Sequence, residues 1–370
     1  SKDTTAITVS YQRGGIKKTA SVAVTVRVLA SIEISNPPTK TAYKYGEVFS
    51  PAGMAVTARY TDGQSRAATG YTYSPTGALK LSDTTITVSY TEGDVTKTTT
   101  QAIKVTTVNT TLDSNSWATI KAVSDAGKGD NYWDVGDTRN IVINGNVGES
   151  VYKNITIAAF IIGFNHNSII EGNNKIHFQI GKISNKLIGL CDGRYGSSVS
   201  GSGYFSMNTY RTNAGGWNDS YMRKTLLGNS GTPSSPPSNS LLAAISADLR
   251  AVMKDVRKFT DNTGGGADHV SYVTGATDYL FLLAEFEYHG SRTYANSAEK
   301  NYQKQYDYYK AGNSKVHNRF ENPESAVGAW TRSAYAGNND NFCLVNTDGT
   351  PNNNNADNSR ALAPGFYRMG

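Results

Sequence analysis

The sequence predicts a multidomain protein: all-β sandwich modules followed by an α+β domain. Three observations predict it. Ile7-Thr8-Val9-Ser10-Tyr11 returns 79 residues later as Ile86-Thr87-Val88-Ser89-Tyr90, which is the mark of tandem modules. The apolar pattern changes at Trp117, and no repeat of that length continues beyond it. The segment 329–370 then sets nine asparagines, between positions 338 and 358, among a few apolar and turn-forming residues such as Trp330, Phe342, Leu344, Val345 and Phe366. A disordered asparagine-rich tail has no need of such apolar punctuation.

Each element follows in chain order. Residues 1–28 hold only the last strands of a module, with a hairpin turn at Arg13-Gly14-Gly15. Half a sandwich cannot cover its own apolar face, so the chain is expected to be part of a longer chain or assembly. Residues 29–107 form a complete module, with alternating Val56-Thr57-Ala58-Arg59-Tyr60 closed by Asp62-Gly63. The polar stretch 108–116 is expected to be a linker. From 117 to 370, Ala159–Phe164, Lys186–Cys191 and Tyr279–Leu283 predict buried strands. Leu249, Val252, Met253 and Val256 share one face, which predicts a helix over 246–259, and a shorter helix is expected over 219–227, stopping at Gly228. Two helices, a small sheet and long loops make an α+β domain.

Composition narrows the function. Glycine (36) and tyrosine (23) are high and charged residues are only 18%, which suits an extracellular β-rich protein with long ordered loops. The net charge of +6 is scattered rather than striped, so no nucleic-acid partner is expected. No stretch approaches the ~18 apolar residues of a membrane span, so no direct membrane insertion is expected. Cys191 and Cys343 sit in apolar runs and read as buried free thiols, with a long-range disulfide as the alternative. The five histidines (166, 177, 269, 289, 317) show no metal-ligand spacing. Asp130, Asp134 and Asp137 read as an ordinary turn, Trp217-Asn218-Asp219 as a core tryptophan before a helix cap, and Glu285 and Glu287 as the polar end of a strand. The crowded tyrosines 294, 302, 306, 308 and 309 read as packing of a long insert. No cofactor, no metal and no catalytic residue is expected.

Two resemblances sharpen this. The stretch PTKTAYKYGEVFSPAGMAVTARYTDG resembles the bacterial immunoglobulin-like repeats of surface adhesins and phage structural proteins, which implies a spacer or display role for 29–107. In 117–370, Tyr132-Trp133-Asp134-Val135-Gly136-Asp137, Ile161–His166, Ser220-Tyr221-Met222-Arg223, Asp278–Leu283, and Ala329-Trp330-Thr331-Arg332-Ser333 followed by Ala363-Pro364-Gly365-Phe366 resemble a bacterial family with a C-type lectin-like fold. That family includes the variable proteins of diversity-generating retroelements; its usual pattern prefers two adjacent tryptophans and a leucine, from which Ala329 and Thr331 depart. The resemblance implies that 329–370 is a variable region, because adenine-rich asparagine codons are the ones a retroelement randomises. The ligand surface is then expected at Tyr335, Asn338, Asn339, Asn341, Asn346, Asn352, Asn353, Asn354, Asn355 and Asp357, held on a frame of Trp330, Arg332, Phe342, Leu344, Val345 and Phe366. The run Asn352–Asn355 is expected on a loop rim, since asparagine is disfavoured in strands. The implied protein is an extracellular receptor or adhesin on a phage particle or bacterial cell surface, with a protein or glycan ligand on a bacterial or host surface. An invariant carbohydrate-binding lectin or virion decoration protein is the alternative. An enzyme related to formylglycine-generating oxidases is a remote one.

Overall fold

The computed structural model describes residues 6–24, 27–80 and 82–368. The parts of the expected first module at 1–5 and 25–26 lie outside the described residues. The chain is β-rich and divides into two compact units, Ser1–Val108 and Asn109–Gly370. Strands hold 40% of the residues against 15% in helices, so sheet pairing organises both units.

In the first unit the sequence repeat is also a repeat of register. Ala6–Arg13 pairs antiparallel with Ile16–Ala23, Ile7 opposite Val22 and Arg13 opposite Ile16. Thr85–Glu92 pairs with Val95–Ala102 at the equivalent positions, Ile86 opposite Gln101 and Glu92 opposite Val95. Their environments differ. Ile86 and Val88 are fully buried, whereas Ile7, Val9 and Tyr11 are more than half exposed. The second hairpin is covered because Thr72–Ser74 extends its sheet, and Leu29–Asn36, Ala55–Tyr60 and Ser65–Ala67 form a second sheet over a shared core of Leu29, Ile32, Tyr43, Val56 and Leu79. A parallel pair, Ala42–Lys44 with Lys104–Thr106, completes it.

The second unit is built on a long hairpin, Thr138–Val147 with Ser150–Phe164. Ile176–Ile183 adds to it and is joined by the C-terminal strand Gly365–Arg368, so the end of the chain closes onto its early part. Lys186–Gly189, His317–Arg319 and Ala326–Val327 finish a seven-stranded sheet. Trp117, Phe178 and Phe366 pack against one another with ring centroids 5.2–6.0 Å apart, tying the first helix, the sheet and the C-terminus together. A three-stranded sheet, Ala329–Ala334, Asn341–Val345 and Pro351–Asn355, and a hairpin, Val256–Asp261 with Val273–Asp278, lie outside it. Among the described residues no helix is long and apolar enough to cross a membrane.

Several local expectations are corrected. The helix over 246–259 is one turn, Ala247–Arg250, followed by the strand Val256–Asp261. That strand buries Val256, Lys258 and Thr260 on alternate positions, and a lysine on the inner face defeats any reading of apolar period. The helix over 219–227 is a turn at Gly216–Asp219 and a π-turn at Met222–Leu226, ended by Gly228 at φ +91°. In the apolar run 279–283 Tyr279 is half-buried and the four residues that follow are fully buried, but the run joins no extended ladder. Its backbone is held by the Asn229 side chain, by Gly365 and by Arg332, and Glu285–His289 that follows is a helix rather than a strand end. The longest helix, Trp117–Asp125, is capped by Ser116, whose hydroxyl accepts from the Thr119 N–H at 3.1 Å.

The stretch expected as a linker carries structure of its own. Leu112 is buried in a 3₁₀ turn, and the carbonyl of Asn109 accepts the indole N–H of Trp133 at 3.0 Å. Asp113 accepts from the backbone and side-chain N–H groups of Asn140 at 2.7 and 2.9 Å. Asn115, 4% exposed, donates to the carbonyls of Asn109 and Thr111. Residues 109–116 therefore belong to the second unit. A chain beginning at residue 109 is expected to keep that unit's melting temperature. One beginning at 117 exposes the Leu112 site and orphans the Trp133 N–H, and is expected to lose about 3 kcal/mol or more in scanning calorimetry.

Candidate ligand-binding surface

The C-terminal motif Trp330-Thr331-Arg332-Ser333 is entirely buried, and each member has a distinct anchor. The Trp330 indole donates to the Phe205 carbonyl at 3.0 Å. Thr331 donates to the Cys343 carbonyl at 3.0 Å. Arg332 makes a two-pronged contact with Glu287, Nη1 to Oε2 at 2.5 Å and Nη2 to Oε1 at 2.9 Å, and also donates to the Leu282 carbonyl. The Ser333 hydroxyl donates to Glu299 at 2.7 Å.

Glu287 is the hub of a buried ionic cluster. Besides Arg332 it accepts from Lys258 at 3.2 Å and from the Ala284 N–H at 3.0 Å. Lys258 also reaches Glu171 at 2.9 Å and Tyr306 at 2.8 Å. Burial alone would raise the Glu287 carboxyl, but the Arg332 and Lys258 charges outweigh it and hold it well below the usual carboxylate range. At Glu171 burial wins over Lys258 and pushes the carboxyl up to about 7. His166, Glu171 and Glu287 present ligand atoms within 4.8 Å of one another. A metal there would have to displace Lys258, which already bridges both carboxylates, so the residues fit a charge network rather than a metal centre. The two cysteines are free and buried; burial pushes the Cys191 thiol up to about 12 and the Cys343 thiol well above its usual range, which suppresses the thiolate a nucleophile needs. The expected alternative of a disulfide between them is corrected accordingly.

The ten residues expected at the ligand surface are brought together along one sheet and its adjoining turns. Phe342, Leu344 and Val345 are buried in Asn341–Val345, and Phe366 is buried beside Phe178. The four asparagines 352–355 form a strand, which corrects the expected loop rim. Pro351–Asn355 pairs with Asn341–Val345 on one side and is the last strand of its sheet, and each of its residues is half-buried. Asparagine is tolerated there because its own side chains do part of the pairing. The Asn352 amide oxygen accepts the N–H of Asn353, and that of Asn354 accepts the N–H of Asn355, both at 2.8 Å. Asn341 donates to Asn353 and Asn358 donates to Asn354. Three oxygens nearby, on Asn341, Asp357 and Asn358, are buried without a partner among the described residues.

Residues 335–341 form the turn beside this strand. The Asn338 side chain accepts from the N–H groups of Asp340 and Asn341, while Asn339 is exposed. Asn346 closes the far hairpin, its N–H donating to Thr350 at 2.8 Å. Asp357 accepts the Ser198 hydroxyl at 2.7 Å, and Tyr335 meets Tyr294 edge-on at 5.5 Å. One organiser escaped the sequence reading. Asn213, fully buried, donates to the carbonyls of Tyr335, Asn338 and Asn341 and so fixes the whole turn. Its signal was only a turn-rich Thr-Asn-Ala-Gly-Gly stretch. Gly264 must be glycine beside it, since a Cβ there would lie 1.9 Å from the Asn213 carbonyl oxygen. Glu285 works similarly, its carboxylate accepting three successive N–H groups at 293–295, and Tyr294 is thereby fixed.

Of the other sequence candidates, Trp217 is buried and donates to Asp278 at 2.7 Å, while Asp219 pairs with Lys224. Asp137 accepts the Asp134 N–H in an ordinary turn, and Tyr306, Tyr308 and Tyr309 are buried.

Over residues 201–367 the chain is similar to a domain of unknown function (DUF6273). That span contains the tryptophan-arginine-serine motif, Glu287, Glu299 and every residue of the asparagine surface. No curated protein matches the chain.

Arg332→Ala should leave Glu287 buried with one counter-charge fewer, and a loss of about 3–5 kcal/mol in urea unfolding is expected. The buried histidines set an acid limit. Burial pushes His166 down to about 3 and His289 and His317 to about 4, so the unfolded chain takes up protons below about 6.5 that the folded chain refuses. Their contribution is complete above that pH and is lost as pH falls. Glu171 acts in the opposite sense between its ordinary range and about 7. His317→Gln should therefore make the loss of stability between pH 6.5 and 4 shallower, by at most about 1.4 kcal/mol per pH unit, as measured by unfolding at several pH values.

Proposed function

We propose that this chain is an extracellular ligand-binding protein, a receptor or adhesin, that displays a variable surface of C-type lectin-like fold on an immunoglobulin-like stalk. The observation that carries the reading is a division of labour within one short segment. Trp330, Arg332 and Ser333 anchor to Phe205, Glu287 and Glu299 deep in the unit. The asparagine side chains 338, 341, 352, 353 and 354 bond within their own sheet and turns instead. Side chains that hold nothing distant can change without loosening the fold. The oxygens of Asn341, Asp357 and Asn358, which have no partner among the described residues, favour a ligand that brings donors, such as a hydroxylated glycan or a polar protein surface. The chemistry is recognition rather than catalysis, because both thiols are suppressed and the ionisable groups around Glu287 are spent on one another. The carrier is a phage particle or a bacterial cell surface, and the ligand lies on a bacterial or host surface.

The test is a paired scan of melting temperature and binding to candidate cell surfaces. Replacing Asn352–Asn355 by Ser, Asp or Tyr should shift stability by no more than about 0.5 kcal/mol per site while changing what is bound. Trp330→Ala should cost about 3–5 kcal/mol. Equal destabilisation by both would make the asparagine strand structural and end the variable-receptor proposal. Unaltered binding after every asparagine change would place the ligand elsewhere.

A further inference from the structure

A cleft formed by other residues of the second unit has the makings of a separate site. Its volume is about 460 Å³, within the range of small-ligand sites and roomy enough for a mono- or disaccharide. None of the ten surface residues lines it. Its floor comes from the turn Asn165-His166-Asn167, and its other side from residues 286–310.

Two residues of this lining each carry a buried polar atom with no hydrogen-bond partner among the described residues. One such atom is Nε2 of His166, a residue 5% exposed. The other is Oε1 of Gln303, a residue 6% exposed whose amide nitrogen is already committed to the Phe259 carbonyl and to Glu299. An unpaired buried polar atom is costly unless a ligand or water meets it. The His166 ring is held rigidly, stacked on Tyr306 with centroids 3.7 Å apart. Both flanking asparagines adopt positive φ, 50° and 48°, and both are tied down: Asn165 accepts the Lys175 N–H, and Asn167 donates to the Tyr302 carbonyl. The histidine is thus presented by a fixed turn that costs backbone strain.

The rim carries charge of one sign. Lys300, Lys304 and Lys310 line the cleft against a single acid, Asp307, and among the described residues none of the three lysines is in an ion pair. Lys304 is near enough to oppose protonation of His166, which burial already pushes down to about 3. The imidazole is neutral at working pH and offers one donor and one acceptor. Phe164 and Phe286 add apolar surface.

We propose that this cleft binds an anionic sugar, with the ring hydroxyls meeting His166 and Gln303, the apolar ring face meeting Phe164 and Phe286, and the carboxylate, sulfate or phosphate meeting the three lysines. Hydroxyls both donate and accept, so they suit a polar lining that holds an imidazole and a carboxamide. Lysines act as point charges and do not distinguish among the three anionic groups. The site is independent of the asparagine surface and would give one protein two recognition modes.

The test is titration calorimetry of the full chain with four probes: glucuronate-containing disaccharides, their sulfated or phosphorylated counterparts, the neutral counterparts, and inorganic phosphate. At least one anionic sugar should bind tenfold or more tightly than its neutral counterpart. A rise from 50 to 500 mM salt should weaken it severalfold. The double variant K300A/K304A should lose at least tenfold, with an unchanged melting temperature because both lysines are exposed. Changes at Asn352–Asn355 should leave this binding intact, so its failure and that of the asparagine surface are read separately. Equal affinity for neutral and anionic sugars, no effect of the lysine changes, inorganic phosphate binding as tightly as any sugar, or no binding by any probe would each overturn the proposal.

Discussion

The second unit depends on one buried contact, the pairing of Arg332 with Glu287. Neither side chain is more than 1% exposed, so each charge has surrendered its water. Such a pair persists only if nearly every remaining donor and acceptor is also met. The surroundings show how that demand spreads. Glu287 draws in Lys258, Lys258 draws in Glu171 and Tyr306, and Arg332 takes the Leu282 carbonyl with its side chain and the Leu283 carbonyl with its backbone. The strand 329–334, the strand 256–261 and the helices 168–171 and 285–289 are thereby pinned at a single point. The segment 279–284 is irregular in part for the same reason, since its carbonyls are divided among Asn229, Gly365 and Arg332 rather than given to one neighbouring strand.

What could be read in the sequence follows from how local its causes are. The two hairpins of the first unit were legible as strands and turns, because alternation and a glycine turn are properties of a dozen neighbouring residues. The frame at 330–345 was legible as apolar punctuation. The strand 256–261 was not, because Lys258 faces inward to partners at 171, 287 and 306, which no short window contains. Nor was the strand 351–355, whose tolerance of asparagine arises from side chains bonding the adjacent backbone. The polar stretch at 109–116 looked free because its partners, Trp133 and Asn140, come later in the chain. Asn213 and the lysine-rimmed cleft were invisible in the same way, each assembled from segments 80 or more residues apart.

The unit therefore keeps two kinds of polar residue apart. Inside, polar groups hold distant segments together in exchange for lost solvation, and each is hard to replace. At the asparagine sheet the asparagine side chains reach only to neighbours, and turn shape is set instead by buried outsiders such as Asn213 and Glu285. A recognition surface gains from this arrangement, since its geometry is inherited from residues that are not part of it.

Under the proposed function, the alternation along Pro351–Asn355 has a consequence for how the surface could diversify. Its outer backbone edge is a template onto which a second chain could add as a further strand. The amides of Asn352 and Asn354 occupy two of the N–H groups on that edge. Those two positions guard against self-association, while Asn353 and Asn355 do not. A hydrophobic side chain at 352 or 354 would fold normally and yet leave the strand sticky, so a population of variants would be filtered by solubility at alternate positions before any ligand was met.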